Sequence, residues 1–280
     1  MNRKKVSRFL LVMLMVCATL QIGAISYSSA AKQLNGSINE TSENQKIEDI
    51  EISQEILNFI KDADPGDYGT NVTNYKKALI ELGIQPRFKS EIERLIKEGH
   101  SLPDLLIAYE FLYNNFGKME ELEILSNKKQ SGKSWSKIFA TYQSENGEFI
   151  PNSFDPQYLQ DLMREEYITP DDIMIADRIA YKLGLEHKDI ISYRFDGIEW
   201  KKINEDLGIL NSQSELPRVK VTEEQLDKLT NQYNLSEEEI IEALVIAERI
   251  DKDSKEIIEK IKSGYSEVEI LAECYQEKYY

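Results

Sequence analysis

Histidine and cysteine are scarce in this chain of 280 residues, which has two of each. Serine or cysteine catalysis needs a neighbouring base, and neither His100 nor His187 has a strong local partner in the sequence. The spacings H-x-x-x-H and C-x-x-C, which are typical of zinc sites, are absent. We therefore expect both histidines at the surface, no metal site and no catalytic residue that the sequence can name.

Glycine-rich phosphate loops are also missing, because neither G-x-x-x-x-G-K nor G-x-G-x-x-G occurs. We therefore expect no nucleotide cofactor, and folding that needs no metal or other cofactor.

Basic residues are few: 34 Lys and Arg stand against 50 Asp and Glu, for a net charge of -16. The first 31 residues hold four of the basic groups and no acid, so the rest of the chain carries -20. Nucleic acid binding draws much of its affinity from basic groups on phosphates. The charge therefore argues against nucleic acid as a partner, so we expect none, and it leaves cationic partners, divalent ions or plain solubility open.

Residues 1–31 have the pattern of a signal peptide: a basic start, an apolar stretch and small residues ending at Ala30 and Ala31. We expect cleavage there, a secreted or extracytoplasmic location and no stable membrane span afterwards. An uncleaved anchor is the alternative. Residues 32–51 are polar and predict a flexible tether.

Removal of Cys17 with the signal peptide leaves Cys274 alone, which excludes an internal disulfide. We expect Cys274 to be buried and unreactive.

The strongest positive feature is an internal repeat. Residues 159–203 align with 226–270 at a fixed offset of 67, and eleven of the 45 positions are identical. The shared residues are almost all apolar or glycine, which indicates shared packing and turns. A third, earlier copy aligns when small gaps are allowed. We divide the chain into an N-terminal helical piece, 52–86, and three units, 87–146, 147–212 and 213–280.

Each unit has four apolar segments at helical spacing, and so predicts four short helices. The second helix of each unit begins at a capping box led by Ser101, Thr169 or Ser236. The N-terminal piece predicts a helix from an N-cap at Ser53 and a second helix over 75–82. The predicted fold is therefore all-α: an array of three four-helix repeats of about 65 residues, stacked as in solenoids, after a short helical piece.

Trp135 and Trp200 occupy one register position in the first two units, where the third unit has Glu267. A repeated tryptophan can form a platform for a sugar or peptide, which makes both residues weak candidates for binding. Alternatively, both are buried near the junction with the next unit. The last unit has no successor, so Glu267 would then be exposed.

Carboxylates offer two weaker readings. Asp62, Asp64 and Asp67 begin like a calcium loop, but position twelve is Thr73 instead of glutamate, so we expect a turn. Glu110 lies on a predicted helix, at a position where an all-helical wall hydrolase could place a catalytic carboxylate. The simpler interpretation is a solvated surface glutamate.

The segments at 132–138 and 264–270 resemble the first helix of a DNA-binding helix-turn-helix. Only ten residues follow Ile270, too few for a basic recognition helix. The leading hypothesis is an exported, non-enzymatic binding or scaffolding protein whose partner is an envelope protein or a wall polymer. A carboxylate-based peptidoglycan hydrolase is the alternative, and a nucleic-acid binder is the third.

Overall fold

The computed structural model describes residues 47–280, and within that range the regular structure is helical, with fourteen α-helices and no strand. The all-α prediction is confirmed. One isolated antiparallel bridge joins Lys118 and Ile209. The helices are α1 Gln54–Ala63, α2 Tyr68–Glu81, α3 Pro86–Lys97, α4 Leu102–Asn114, α5 Glu120–Gln130, α6 Trp135–Asn146, α7 Pro156–Leu162, α8 Pro170–Leu183, α9 His187–Phe195, α10 Trp200–Leu207, α11 Glu223–Tyr233, α12 Glu237–Arg249, α13 Ser254–Lys262 and α14 Glu267–Tyr279.

The chain divides into two units, 1–50 and 51–280. In the first unit the structure describes only residues 47–50, with a short 3-10 helix at Ile47–Asp49. The expected signal peptide and most of the expected tether lie outside the described residues. No helix within 47–280 is long and apolar enough to cross a bilayer.

Helices α1 and α2 lie in the N-terminal piece, and four helices fall in each of the ranges 87–146, 147–212 and 213–280, with α3 starting one residue before the first range. A stacked order of repeats stays a prediction. In an open array each unit would contact only its sequence neighbours. Here α14, from the last range, packs against α4 and α6 of the first.

Helix α4 is the most deeply buried helix, since every residue from Leu102 to Tyr113 is buried. A helix that is apolar on all sides has to be covered on all sides. Helices α2, α5 and α14 each pack against it. A second apolar cluster is built mainly from α8, α9 and α10, with Trp200 at 0% exposure.

The helix starts follow the sequence in most places. Thr169 and Ser236 form the predicted capping boxes, in which the side chain accepts an N–H bond three residues on. Ser101 makes no such bond, so that prediction is wrong. The Oδ1 of Asp104, which would complete the box, instead accepts a hydrogen bond from the Tyr280 hydroxyl at 2.7 Å.

In the N-terminal piece, Ser53 caps α1 as expected. Helix α2 begins at Tyr68, seven residues before its predicted start. The aspartate-rich segment before it is a turn: Asp64 accepts hydrogen bonds from the backbone N–H of Asp67 and from the side chain of Asn71. Since Asn71 is itself buried, tertiary packing extends α2 into a segment that the turn residues suggested was irregular.

Cys274 is buried on α14 at 3% exposure, as predicted. Burial raises the pKa of its thiol, which lowers the fraction of reactive thiolate at neutral pH. We expect a thiol reagent to label the native protein at least about tenfold more slowly than the urea-unfolded chain, because the folded thiol is both shielded and less ionised. Equal rates in the two states would contradict a buried thiol.

Candidate functional site

A cleft of about 520 Å³, including space open to solvent, lies beside α6 and α8. Its walls combine four aromatic rings, three carboxamides and two cations. The lining residues are Asn115, Phe116, Tyr142, Gln143, Asn146, Gly147, Phe149, Arg178, Tyr181 and Lys182.

Arg178, on α8, is partly buried between two aromatic side chains. Its guanidinium carbon lies 5.4 Å from the centroid of Phe116 and 5.0 Å from that of Phe149. No carboxylate of the described chain lies within ion-pair distance of it, and its N–H groups have no acceptor there. Burial and the charge of Arg249 lower its pKa, against the opposing effect of Asp177. The guanidinium nevertheless stays charged at neutral pH because its ordinary pKa is so high.

Lys182, one turn further along α8, is fully satisfied. Its ammonium group donates to Glu121 at 2.8 Å, to the Tyr142 hydroxyl at 2.7 Å and to the Asn146 side-chain oxygen at 2.7 Å. The Tyr142 hydroxyl in turn donates to Glu121 at 2.9 Å. This network neutralises Lys182 and fixes the wall formed by α6, so Arg178 is the cation of the cleft that has no anion.

The segment after α6 closes one side of the cleft. The Tyr181 hydroxyl donates to the backbone oxygen of Asn146 at 3.0 Å, and Phe149 packs edge-on to the Tyr181 ring. Gly147 has a φ of 69°, and a Cβ there would lie 3.0 Å from the Tyr181 hydroxyl. Glycine therefore allows both the left-handed turn and the close approach of Tyr181.

Asp177, the acid next to Arg178 in sequence, is engaged elsewhere. It is fully buried, and its two oxygens accept bonds from the backbone and side-chain nitrogens of Asn152, at 2.9 and 2.6 Å. These bonds fix the segment that carries Phe149 over α8. Asp177 therefore positions one wall of the cleft and does not pair with the guanidinium.

The last range of the chain reaches the same region. Glu267 pairs with Arg249, and its other oxygen accepts a bond of 3.5 Å from Gln143, which lines the cleft. The prediction that Glu267 is exposed is therefore wrong: its side chain retains 29% exposure and lies in a polar contact between α14, α12 and α6. The cause is the packing of α14 against α6, which covers the face that an open array would leave to solvent.

The lining residues contain no carboxylate and no histidine, serine or cysteine. Within the described chain, no group of three or more His, Cys, Asp or Glu is arranged to hold a metal ion. The cleft can therefore bind, through a guanidinium, aromatic surface and carboxamide oxygens.

Comparisons with protein-family models, with curated proteins and with solved structures give no match to this chain.

Both tryptophans that the sequence proposed for binding are buried, Trp135 at 1% and Trp200 at 0% exposure. The expected burial is confirmed, and neither ring offers a face to a surface ligand. The indole N–H of Trp200 donates at 2.6 Å to Asp172, within its own range of the chain. The cluster around Trp200 also packs against Leu216 of the following range, and a place at the junction stays a prediction. The indole nitrogen of Trp135 is buried without a protein partner.

The prediction that both histidines lie at the surface is wrong. His100 is buried, and its Nδ1 lies 2.7 Å from the hydroxyl of Ser126. His187 begins α9 and is also buried, with Nδ1 2.9 Å from the Tyr158 hydroxyl and Nε2 3.1 Å from the backbone oxygen of Ile173. A carbonyl only accepts, so Nε2 carries the proton and Nδ1 accepts from Tyr158. Both histidines have structural roles that local sequence does not reveal.

His187 gives the protein a pH-dependent stability. Burial lowers its pKa below the usual value of about 6.5. As the pH falls below 6.5, the unfolded chain takes up a proton that the folded chain resists. The stability present above pH 6.5 is therefore lost as the pH falls through the lower folded-state pKa. We expect the wild type to lose more unfolding free energy than His187→Gln between pH 7.5 and 5.0. Equal losses in denaturant titrations would refute this origin.

Glu110, proposed as the carboxylate of a hydrolase, lies inside the fold. It is buried on α4 and accepts bonds from the Tyr279 hydroxyl at 2.5 Å and from Lys278 at 3.1 Å. Both partners belong to α14, so Glu110 fastens the last helix to the centre of the molecule. It is not among the residues that line the cleft.

The sequence does not single out Arg178 as a binding residue, although one of its features sets this position apart. At the offset of 67, Arg178 aligns with Val245 of the third unit. A position that is apolar in one copy and an arginine in another departs from the shared packing pattern. That departure marks a candidate site, but only the structure shows that no acid neutralises the arginine.

Proposed function

We propose that the chain is an exported, non-enzymatic binding protein of the cell exterior, built from three four-helix repeats. Its partner is a wall polymer or an envelope protein, held in the cleft around Arg178. The proposal of export rests on the signal-like residues 1–31, and the proposal of repeats rests on the aligned positions of the sequence.

The unpaired guanidinium of Arg178 is the observation that carries the binding proposal. Desolvating a charge is costly unless a partner compensates it. Here two aromatic faces supply part of that compensation, and the N–H groups remain available to a ligand. In a chain with an excess of acids, an arginine without an acid partner inside a cleft is best explained by a bound anion.

Hydrolysis is the weaker proposal because the pair of carboxylates that it would need is absent from the lining of the cleft. A glycoside hydrolase uses two carboxylates facing the bond that it cleaves. No lining residue is an acid, and Glu121, near the wall, is held by Lys182 and Tyr142.

The test is a binding assay that also detects turnover. The chain without residues 1–31 is mixed with purified wall sacculi, and separately with detergent-solubilised envelope proteins, both from the cells that produce it. We expect saturable retention on one of the two preparations, with no soluble sugar or peptide fragments released over hours.

Release of fragments that increases with protein concentration would instead support the hydrolase. Retention on neither preparation would overturn the binding proposal. Recovery of the chain from the cytosolic fraction of those cells would overturn export.

A further inference from the structure

We infer that the group recognised in the cleft is the free carboxylate at the end of a peptide, with Arg178 as the residue that binds it. This inference rests on the proposed binding function and adds the chemical class of the ligand. Wall polymers and envelope proteins are two sources of such an end.

The charge of the site favours a carboxylate over a phosphate. Lys182 is neutralised by Glu121, and Arg249 by Glu267, which leaves Arg178 as the uncompensated cation of this region of the described chain. One positive charge matches one negative charge, whereas a doubly charged phosphate would leave an excess anion in a protein that is already acidic. The planar guanidinium also matches a carboxylate in a paired, two-bond geometry.

The carboxamides favour a peptide as the carrier of that carboxylate. The side-chain nitrogen of Asn115 donates to the backbone oxygen of Phe111, and that of Gln143 donates to Glu267. Both residues line the cleft, and their side-chain oxygens accept from no donor of the described chain. Such oxygens accept from backbone N–H groups, which a peptide presents next to its terminal carboxylate.

The aromatic rings argue against a sugar acid. Sugars bind by stacking on open ring faces, but the Phe116 and Phe149 rings pack against Arg178 and the Tyr142 ring packs against Lys182 at 4.7 Å. Tyr181 is the remaining ring of the lining, and it is 47% exposed. One open ring suits the last side chain of a peptide better than a chain of sugars.

The experiment follows the Nε–H resonance of Arg178 in two-dimensional ¹H–¹⁵N spectra of the folded chain, assigned by its loss in Arg178→Lys. Because the preferred sequence is unknown, the probe is a randomised pool of acetylated tripeptides with free carboxylates. The same pool as C-terminal amides is the control. Acetyl-lysyl-D-alanyl-D-alanine represents a wall peptide, and inorganic phosphate and N-acetylmuramic acid represent the rejected chemistries.

We expect a saturable shift of the Arg178 resonance with the free-acid pool or the D-alanyl peptide, and at least tenfold weaker binding of the amides, since a charge-assisted pair is lost. A larger response to one of these two probes identifies the source. Arg178→Lys should weaken binding by a similar factor, because lysine keeps the positive charge but cannot donate two parallel hydrogen bonds to a carboxylate. Arg164→Lys, at an exposed arginine paired with Asp161, should change nothing.

No shift with either peptide probe, equal binding of acids and amides, or tighter binding of phosphate or the sugar acid would overturn the inference. Acids, amides and phosphate are compared on the wild type, and the assignment is accepted only when the spectrum of Arg178→Lys keeps the other arginine resonances, which shows that the variant folds. Retention on sacculi or envelope proteins without any carboxylate preference would refute the peptide end while leaving the binding function intact. Failure of retention would refute both.

Discussion

Trp200→Ala is expected to lower the free energy of unfolding by about 3 to 5 kcal/mol, the usual cost of truncating a buried large aromatic. The ring is fully buried in the cluster of α8, α9 and α10, and its N–H bonds to Asp172. Truncation leaves a cavity and removes one of the donors to a buried carboxylate. Equilibrium denaturation in urea, followed by circular dichroism, measures the loss.

Phe195→Ala, on the neighbouring α9, is the matched control, since Phe195 is 42% exposed. It should cost less than about 1 kcal/mol, as surface substitutions usually do. Trp200→Phe helps to separate the two contributions, because it keeps most of the volume of the side chain and removes the N–H together with a smaller part of the ring. A loss below about 1 kcal/mol for Trp200→Ala would show that the indole is not in the core.

Tyr275→Ala is the second substitution with a large expected effect, again about 3 to 5 kcal/mol. Tyr275 is buried on α14 beside Phe139 of α6, and its hydroxyl accepts from Asn114 of α4 at 2.9 Å. It therefore reports on the contact between the last and first ranges of the chain. The measurement is the same urea titration.

Tyr265→Ala is its control, because Tyr265 precedes α14 and is 46% exposed. The control should leave stability nearly unchanged. If both tyrosine variants behave alike, α14 does not seal the first range, and the chain is closer to the open array expected from the repeat.

Periodicity predicted the helices well because their apolar faces are local in sequence. The three ranges of four helices follow from residues such as Ile173, Ile190 and Ile203, which are buried in the structure as in the pattern. Helix caps at Thr169 and Ser236 were also predictable, since the partners lie three residues apart.

Contacts between distant residues could not be predicted in this way. The Tyr280 hydroxyl donates to the Asp104 carboxylate, which would otherwise complete the capping box with Ser101. Glu267 forms an ion pair with Arg249 in the region where α14 packs against α6. His187 can be buried because both ring nitrogens form hydrogen bonds, one with the Tyr158 hydroxyl and one with the backbone oxygen of Ile173. In each case a non-local partner decides the outcome, and local propensity contains no information about it.

The cleft likewise combines features that the sequence shows with contacts that it does not show. Its Gly147 turn and its aromatic residues are visible in the sequence, but their convergence depends on how α6 and α8 pack. Arg178 lacks an ion-pair partner because the nearby acids bind other groups. Asp177, for example, accepts hydrogen bonds from Asn152. That property has no sequence signature beyond the mismatch with Val245.

We propose that the chain binds its partner through Arg178. The test compares the binding of wild type and two arginine variants to the preparation, wall sacculi or envelope proteins, that retains the wild type. Wild type, Arg178→Lys and Arg164→Lys are titrated, with melting curves to confirm equal folding. We predict the same half-saturation for wild type and Arg164→Lys, and at least tenfold more protein needed for Arg178→Lys. Equal half-saturation for all three would contradict the claim.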